Sequence, residues 1–416
     1  MSYLRDQVPG TTTPLQDLVR HAHAHSPFYR PRFEQLGINP LTIFTAEDLK
    51  SLPTTSRSEL QSEPWGLLAV PKEDIVQTNI STGTTGADDV LIHFDWDDLF
   101  VRGLRGMLGA RSAHRLLSIE PGEMVFIALP YEVSVTGLAI HRALQDGLGA
   151  CVVPLGKGGF YSDPRKAVRM MAQLQGEHLF TTPFYAVHLS EVAAELQIDP
   201  KRDLGLRKLW LVGESCSDAL RQRIEALWGC PAYLYYGSLE CGVIGVECSQ
   251  QDGYHVATGL AEVELEASPQ TPTTLRGEAT GEVIATCLWR NASPLIRYKS
   301  GDIGHLIHTP CPCGLPGPRL RVLGRESDVL SMGGRELFAH EIEQVLLEEI
   351  PNLPLWFRLR PSRGQLCVEV PGHWPGAVRD IERAERRLGV RVFVESVAPE
   401  PYLGGKFRRL STGSPE

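Results

Sequence analysis

Long apolar runs are missing from this 416-residue chain. Nowhere do about 18 uncharged apolar residues follow one another, the least that a membrane-crossing helix needs. The opening MSYLRDQVPGTTTP also lacks the apolar core of an export signal, so a soluble, cytoplasmic protein without a membrane partner is expected. No block of one charge stands out either. The formal net charge of −9 is spread along the chain, which disfavours a nucleic-acid surface and leaves any anionic ligand to a local site. Nine cysteines (Cys151, Cys216, Cys230, Cys241, Cys248, Cys287, Cys311, Cys313 and Cys367) are an odd number in a chain without an export signal. A disulfide framework is therefore not expected, and thiols remain for packing or metal. A last absence concerns phosphate. STGTTGADDV, Ser81 to Val90, has the glycines and hydroxyls of a phosphate cradle, but Ala87, Asp88 and Asp89 follow Gly86 where a Walker loop has its lysine. That disfavours a P-loop nucleotidase. Backbone N–H groups freed by glycine can still wrap a polyphosphate, and a slack surface loop is the competing reading.

What is present is ample apolar sequence for two or three folded units. The first seventy residues or so read as helical, with an amphipathic helix from Leu15 to His25 and helix starts at Thr45 or Thr55. From Ile75 to about Leu306, short apolar runs such as MVFIAL, CVVPL, KLWLVG and AYLYYG alternate with helical patterns such as DPRKAVRMMAQL and SDALRQRIEALW. The alternation predicts βαβ units and a helix-covered parallel sheet. Between Gly253 and Ile307 the pattern changes to VEL, GEVIATCL and PLIRY with turn residues between, which predicts an antiparallel or barrel-like subdomain. After LRVLGRESD it restarts as LFAHEIEQVLLEEI, LWFRLR, QLCVEV and RVFVESV, a small α+β domain with its boundary near Gly324 to Asp328. The expected fold is thus α/β, with residues 1–325 as a large N-terminal domain of helix-flanked mixed sheets and 326–416 as a small C-terminal one.

STGTTG is followed, in order, by YYGSLE (Tyr235 to Glu240), PLIRYKSGD (Pro294 to Asp302), RVLGRESDVLSMGG (Arg321 to Gly334) and GGKFRR (Gly404 to Arg409). These ordered segments resemble the core motifs of the adenylate-forming superfamily of acyl-CoA ligases and peptide-synthetase adenylation domains. HSPFYRPRFEQLGI, EDLKSLPTTSRSEL, GLLAVPKEDIV, TTPFYAVHL, SPLIRYKSGDI and the CPCG element narrow the resemblance to phenylacetate-CoA ligase and its aryl-acid relatives, over essentially the whole chain.

The resemblance implies roles. Ser81, Thr82, Gly83, Thr84, Thr85 and Gly86 would contact the ATP phosphates. Gly213, Glu214 and Ser215 match the segment that passes beside adenine, and Tyr235, Tyr236, Gly237 and Ser238 would also bind the nucleotide, Tyr236 stacking near the base. Asp302 would accept hydrogen bonds from the ribose hydroxyls, Arg325 would reach the sugar or phosphate region, and Glu240 would hold a magnesium ion. Lys406 aligns with the lysine that family members insert during adenylation, delivered by a C-terminal domain that swivels. The residue types suit these tasks: a carboxylate accepts from a diol at two points, a hard cation prefers oxygen, and an aromatic face suits a purine. When a carboxylate attacks the α-phosphorus, charge gathers on the phosphoryl oxygens, and an ammonium delivered there stabilises it.

Cys248 and His255 flank SQQDGY, and Cys311 and Cys313 sit in TPCPCG, together a Cys3His set of the kind that holds structural zinc. For the acid, the candidate walls are Tyr131, Phe184, Gly213 and the backbone from Tyr235 to Gly237, with His178 and Ser238 reading a ring amine or hydroxyl. The sequence departs from the family at two places, GADD in the phosphate loop and Ser327, where relatives carry an acid before the aspartate at the swivel point. The reaction implied is ATP-dependent activation of an aromatic carboxylic acid (benzoate, anthranilate, hydroxyanthranilate or phenylacetate type) to acyl-AMP, then transfer to CoA. Stopping at acyl-AMP, loading a carrier-protein phosphopantetheine thiol, or a zinc-stabilised nucleotide module without catalysis are the alternatives. The resemblance is also compatible with a homodimer.

Overall fold

Capping fixes the helices of the N-terminal section. In a computed structural model describing residues 13–81, 89–102, 116–132, 136–158, 161–267, 280–376, 378–400, 402 and 405–411, Thr13 and Gln16 form a capping box that starts helix Pro14–His25. That helix buries Leu15, Leu18, Val19 and Ala22 on one face, as its periodicity predicts. Thr45 caps helix Ala46–Leu49 through Asp48. Thr55 does something else. Ser56 is the cap of helix Arg57–Ser62, while the Thr55 hydroxyl is buried and donates to the Ile296 carbonyl at 2.9 Å. With the Thr55 amide bonded to the Arg297 carbonyl at 2.8 Å, the helical section is joined to the central sheet and Arg57 is set in the first turn of its helix.

Strands β1 (Ile75–Ser81) and β2 (Val90–Asp95) form an antiparallel hairpin whose last rung is Ser81 opposite Val90. The next eleven strands make one sheet: β3 (Met124–Ala128), β4 (Cys151–Pro154), β5 (His178–Thr181), β6 (Lys208–Val212), β7 (Ala232–Ser238), β8 (Gly242–Glu247), β9 (Tyr254–Val256), β10 (Ala261–Glu266), β11 (Thr280–Cys287), β12 (Leu295–Ile307) and β13 (Arg319–Arg325). Their order is β10-β11-β12-β13-β9-β8-β7-β6-β5-β3-β4. Strands β3 to β7 pair in parallel and the rest antiparallel. Helices Pro164–Leu174, Pro183–Glu195 and Asp218–Trp228 supply parallel crossovers, so β5 and β6 are buried along most of their length. The antiparallel half curls until β10 returns against β8 and β9, giving the barrel-like character expected, but its hydrogen bonding runs on into the parallel half as one sheet.

The small C-terminal part starts with a hairpin, β14 (Val329–Met332) and β15 (Arg335–Phe338), ahead of helix Ala339–Glu349. Strands β16 (Arg358–Ser362), β17 (Gln365–Pro371) and β18 (Val392–Val397) follow, with helix Val378–Leu388 crossing between the last two. This part docks on the N-terminus of helix Asp218–Trp228. Glu343 accepts the Ser217 amide at 3.0 Å and Gln344 accepts the Ala219 amide at 2.8 Å, so side chains of the small domain satisfy amides that the helix leaves free. Ile342 and Leu346 share one apolar cluster with Leu220 and Trp228.

Candidate active site

The loops after the parallel strands carry the chemistry. Gly213 follows β6 with φ of +80°, and a Cβ there would meet nothing within 4 Å, so open space faces this turn. The Glu214 side chain turns inward and is 3% exposed. It accepts the Phe184 amide at 3.3 Å and pairs at 3.0 Å with Lys157, which lies past the end of β4 and is as deeply buried. Ser215 reaches His340 of the small domain at 3.3 Å.

The β7–β8 turn faces this loop. Gly237 is required by contact, since a Cβ would stand 2.3 Å from the Gly242 carbonyl oxygen. The Ser238 hydroxyl accepts the Cys241 amide at 3.1 Å, tightening the turn that projects Glu240. Beneath it, Arg290 lies against the Phe94 and Trp289 rings and donates to the Glu240 carbonyl at 3.0 Å. The Glu240 carboxylate accepts from Arg57 at 2.5 Å, and the same guanidinium reaches the Ser81 hydroxyl at 2.8 Å. Ser81 ends β1, so a cation stands where the STGTTG segment begins. Thr82, Gly83, Thr84, Thr85 and Gly86 lie outside the described residues.

Across the cleft, the Tyr236 hydroxyl donates to Asp302 Oδ2 at 2.7 Å, and Arg325 lies 3.2 Å from Oδ1. Asp302 and Arg325 are direct cross-strand partners in β12 and β13. Burial pushes the Asp302 carboxyl above its ordinary range while Arg325 pulls it back. The Tyr236 ring lies 5.3 Å from Tyr254 and its phenol is pushed up by burial and by Asp302. Lys406, from the C-terminal tail, enters the same cleft. Its side chain keeps contact with solvent, yet crowding and then the charge of Arg325 lower its pKa, with Lys157 acting the same way and Glu214 and Glu240 opposing. Five groups expected from the sequence thus converge: Glu214, Glu240, Asp302, Arg325 and Lys406.

No protein-family model matches the chain. Phenylacetate-coenzyme A ligase of Thermus thermophilus is 30% identical over 368 residues, covering 86% of this chain and 80% of that protein. The chain belongs to the phenylacetate-coenzyme A ligase family. It is an adenylate-forming ligase. The Pseudomonas putida phenylacetate-coenzyme A ligase is 29% identical over 398 residues, 93% of this chain and 85% of that protein. Among solved structures, 2-hydroxyisobutyryl-CoA ligase in the postadenylation state with 2-HIB-AMP superposes with a TM-score of 0.80 at 23% identity, over 96% of this chain and 88% of that one. The same protein with 2-HIB-AMP and CoA in its thioesterification state gives 0.67 at 25% identity over the same shares. In overall shape this ligase is nearer the former arrangement.

One expected pocket residue of the ligase stands elsewhere. His178 opens β5 opposite Val125 and Lys208, at the N-terminal edge of the parallel strands, and its ring is 3.0 Å from Glu123. The cleft is built on the other edge, so His178 cannot read a bound ring there. Phe184 stays at the cleft edge, in the first turn of the helix after β5 with its amide on Glu214, while its ring packs against Phe407 with centroids 4.2 Å apart and against Trp356 and Arg409 of the small domain. Tyr131 sits half-buried over Gly137, where a Cβ would stand 2.7 Å from its ring, with its hydroxyl 3.2 Å from His141. Lys157 and Arg57 were missed. A lysine between glycines after an apolar strand, and a basic residue after a helix cap, were the only signals.

Behind the antiparallel half, the end of β8, β9 and the turn before β13 bring Cys248, His255, Cys311 and Cys313 together, with ligand atoms all within 4.8 Å of one another. Cys248 and Cys311 sulfurs are 3.7 Å apart, and Cys313 lies 3.3 Å from His255 Nε2. Zinc bonds of about 2.3 Å to sulfur and about 2.0 Å to nitrogen in a tetrahedron place donors roughly 3.5 to 3.8 Å apart, so the set fits that ion. A second group, Cys367, Glu369 and Glu395, already holds the Arg360 guanidinium, which bonds both carboxylates at 2.6 Å. Both carboxylates of that group are thus committed to one guanidinium. Among the described residues no helix is long and apolar enough to cross a membrane.

Proposed function

We propose that this ligase activates an aromatic carboxylic acid with ATP, releasing pyrophosphate, and passes the acyl group from AMP to the thiol of CoA. The carrying observation is the convergence of Lys406 with Glu240, Glu214, Asp302 and Arg325 in one cleft, with the small domain docked against it. Asp302 receives the ribose hydroxyls, Tyr236 and the Gly213–Ser215 turn border adenine, and Ser81 with the segment to Gly86 borders the phosphates. Arg57 lies beside Ser81 and offers positive charge that GADD does not. Glu240 is the residue that would hold magnesium, which supplies charge neutralisation at the phosphates. Lys406 stabilises charge developing at the α-phosphoryl oxygens, and no protein nucleophile is needed. Residues 1–325 bind ATP and acid, with Tyr131 and the Gly213 and Gly237 turns toward the acid. Residues 326–416 deliver Lys406 and swivel for the thiol step. Cys248, His255, Cys311 and Cys313 hold a structural zinc. A cytoplasmic homodimer is the assembly we favour.

Ser327 favours a second reading. It stands where relatives have an acid, in the short turn Glu326–Asp328, with its hydroxyl donating to Asp328 at 3.0 Å. An enzyme that stops at acyl-AMP or loads a carrier protein needs no CoA step. Pyrophosphate exchange with benzoates, hydroxybenzoates, anthranilates and phenylacetates identifies the acid, and product analysis with CoA or a phosphopantetheinyl protein identifies the acceptor. Silence across the panel would instead favour a nucleotide-binding module without catalysis.

A further inference from the structure

The carbonyl preceding Lys406 is held from two sides. The Gly405 oxygen accepts the Tyr402 hydroxyl at 2.8 Å and the Lys157 ammonium at 3.3 Å, which fills both lone pairs of one carbonyl. The two donors differ in where they belong. Tyr402 is part of the C-terminal tail and shapes the loop locally. Lys157 is rooted in the large domain, on the loop after β4, and its side chain is 2% exposed.

An ammonium at that depth is costly unless its charge is met, and Glu214 meets it at 3.0 Å. Glu214 is itself fixed by the Phe184 amide, so Lys157 has little freedom to choose a partner. One of its protons goes to Glu214 and another to Gly405. Holding the Gly405 carbonyl orients the peptide that leads into Lys406, and so sets where the Lys406 side chain starts from. Moving the small domain away breaks the bond to Gly405 and leaves both the Lys157–Glu214 pair and the Tyr402 bond intact. The contact therefore exists only while Lys406 is in the cleft.

We propose that Lys157 is a positioning residue by which the large domain seats the Lys406 loop for acyl-AMP formation, with no part in the thiol step. The proposal rests on the reading of Lys406 as the adenylation cation. The test uses the full chain carrying Lys157→Met, with Lys157→Gln as a neutral variant that keeps a donor. In Lys157→Met, kcat for pyrophosphate exchange should fall about 10- to 100-fold with KM for ATP within about twofold, as loss of a charge-assisted bond at a positioning group implies. Thioester formation from chemically made acyl-AMP should stay within about twofold of the parent. Amide hydrogen exchange over residues 405–411 should quicken, and Lys157→Gln should fall between parent and Lys157→Met on every measure. Equal loss in both half-reactions, or unchanged exchange over 405–411 in a folded variant, overturns the proposal. Where Lys157→Met does not fold, the Gln variant decides by the same criteria. The amide-exchange arm needs no acid, so it still reads if the parent proves inactive on every acid tried.

Discussion

Lys406 carries the sharpest consequence at the level of single residues. Lys406→Ala should lower acyl-AMP formation about a hundredfold or more while leaving the melting temperature unchanged, because the side chain is surface-accessible and, in the role we propose, meets only charge that develops during attack. Pyrophosphate exchange with a melting curve checks both halves. Its lowered pKa adds a pH signature. In the proposed role the ammonium is the active form, so its contribution is present at lower pH and is lost as pH rises through a value below that of ordinary lysine. Lys406→Arg, which cannot deprotonate, should remove that alkaline limb from whatever activity remains. The gathering of Asp302, Glu240 and Lys406 in one cleft was legible in the sequence because each sits in a motif of ordered spacing. Lys157 and Arg57 were not: their partners lie 57 and 183 residues away, and nothing local marks which carboxylate a basic side chain will pair with. His178 misled for a related reason. An apolar strand announces burial, but not which of its ends faces the ligand.

Single elements give the next two tests. The Cys248, His255, Cys311 and Cys313 cluster joins β8, β9 and the turn ahead of β13, so its metal would tie three neighbouring pieces of the sheet. Metal analysis should find about one zinc per chain, and Cys311→Ser should lose it with a drop of several degrees in melting temperature. A metal-free chain that stays so after zinc addition would remove the site. The end of β2 carries a different sensitivity. Asp98 accepts the amides of Asn291 and Ala292 at 2.5 and 3.0 Å, and burial, followed by the charge of Asp95, pushes its pKa up to about 7. Glu247, on β8, is likewise pushed up to about 7, chiefly by burial. A raised carboxyl stabilises the fold fully below its unfolded value of about 4, and that contribution is lost as pH climbs toward 7. Melting temperature should therefore fall across that window, and Asp98→Asn should flatten part of the slope. Helix caps and the βαβ alternation were readable at this scale because they depend on near neighbours. The union of parallel and antiparallel halves into one sheet was not, since strand order is settled by contacts distant in sequence.

For the molecule as a whole, the docking of the small domain turns on Glu343. It accepts the Ser217 amide at 3.0 Å and pairs at 2.5 Å with Arg409, both side chains nearly sealed from water. Glu343→Ala would strand a buried guanidinium and uncap a helix in the other domain, a loss of about 3 kcal/mol. Calorimetry should show the lower melting point, and pyrophosphate exchange should fall with it, because Arg409 leans on Phe407 directly after Lys406. Although burial alone would raise it, the Glu343 pKa is held below normal by Arg409 and Ser217. This part of the stability is present above the ordinary carboxylate range and is lost as pH falls beneath it. The presence of a small C-terminal domain was plain from the restart of the pattern after LRVLGRESD; its seat on helix Asp218–Trp228 was not, because no motif encodes it.

The rung formed by Asp302 and Arg325 has a mechanical consequence. Arg325 is the last residue of β13, and the chain passes from it through Glu326–Asp328 into the small domain. The point where the chain enters that domain is thereby tied to the carboxylate we propose for the nucleotide sugar. A one-residue insertion within β13, between Leu320 and Arg325, would take Arg325 out of register with Asp302 and displace the start of the small domain with it, so the register of this strand answers to two demands at once.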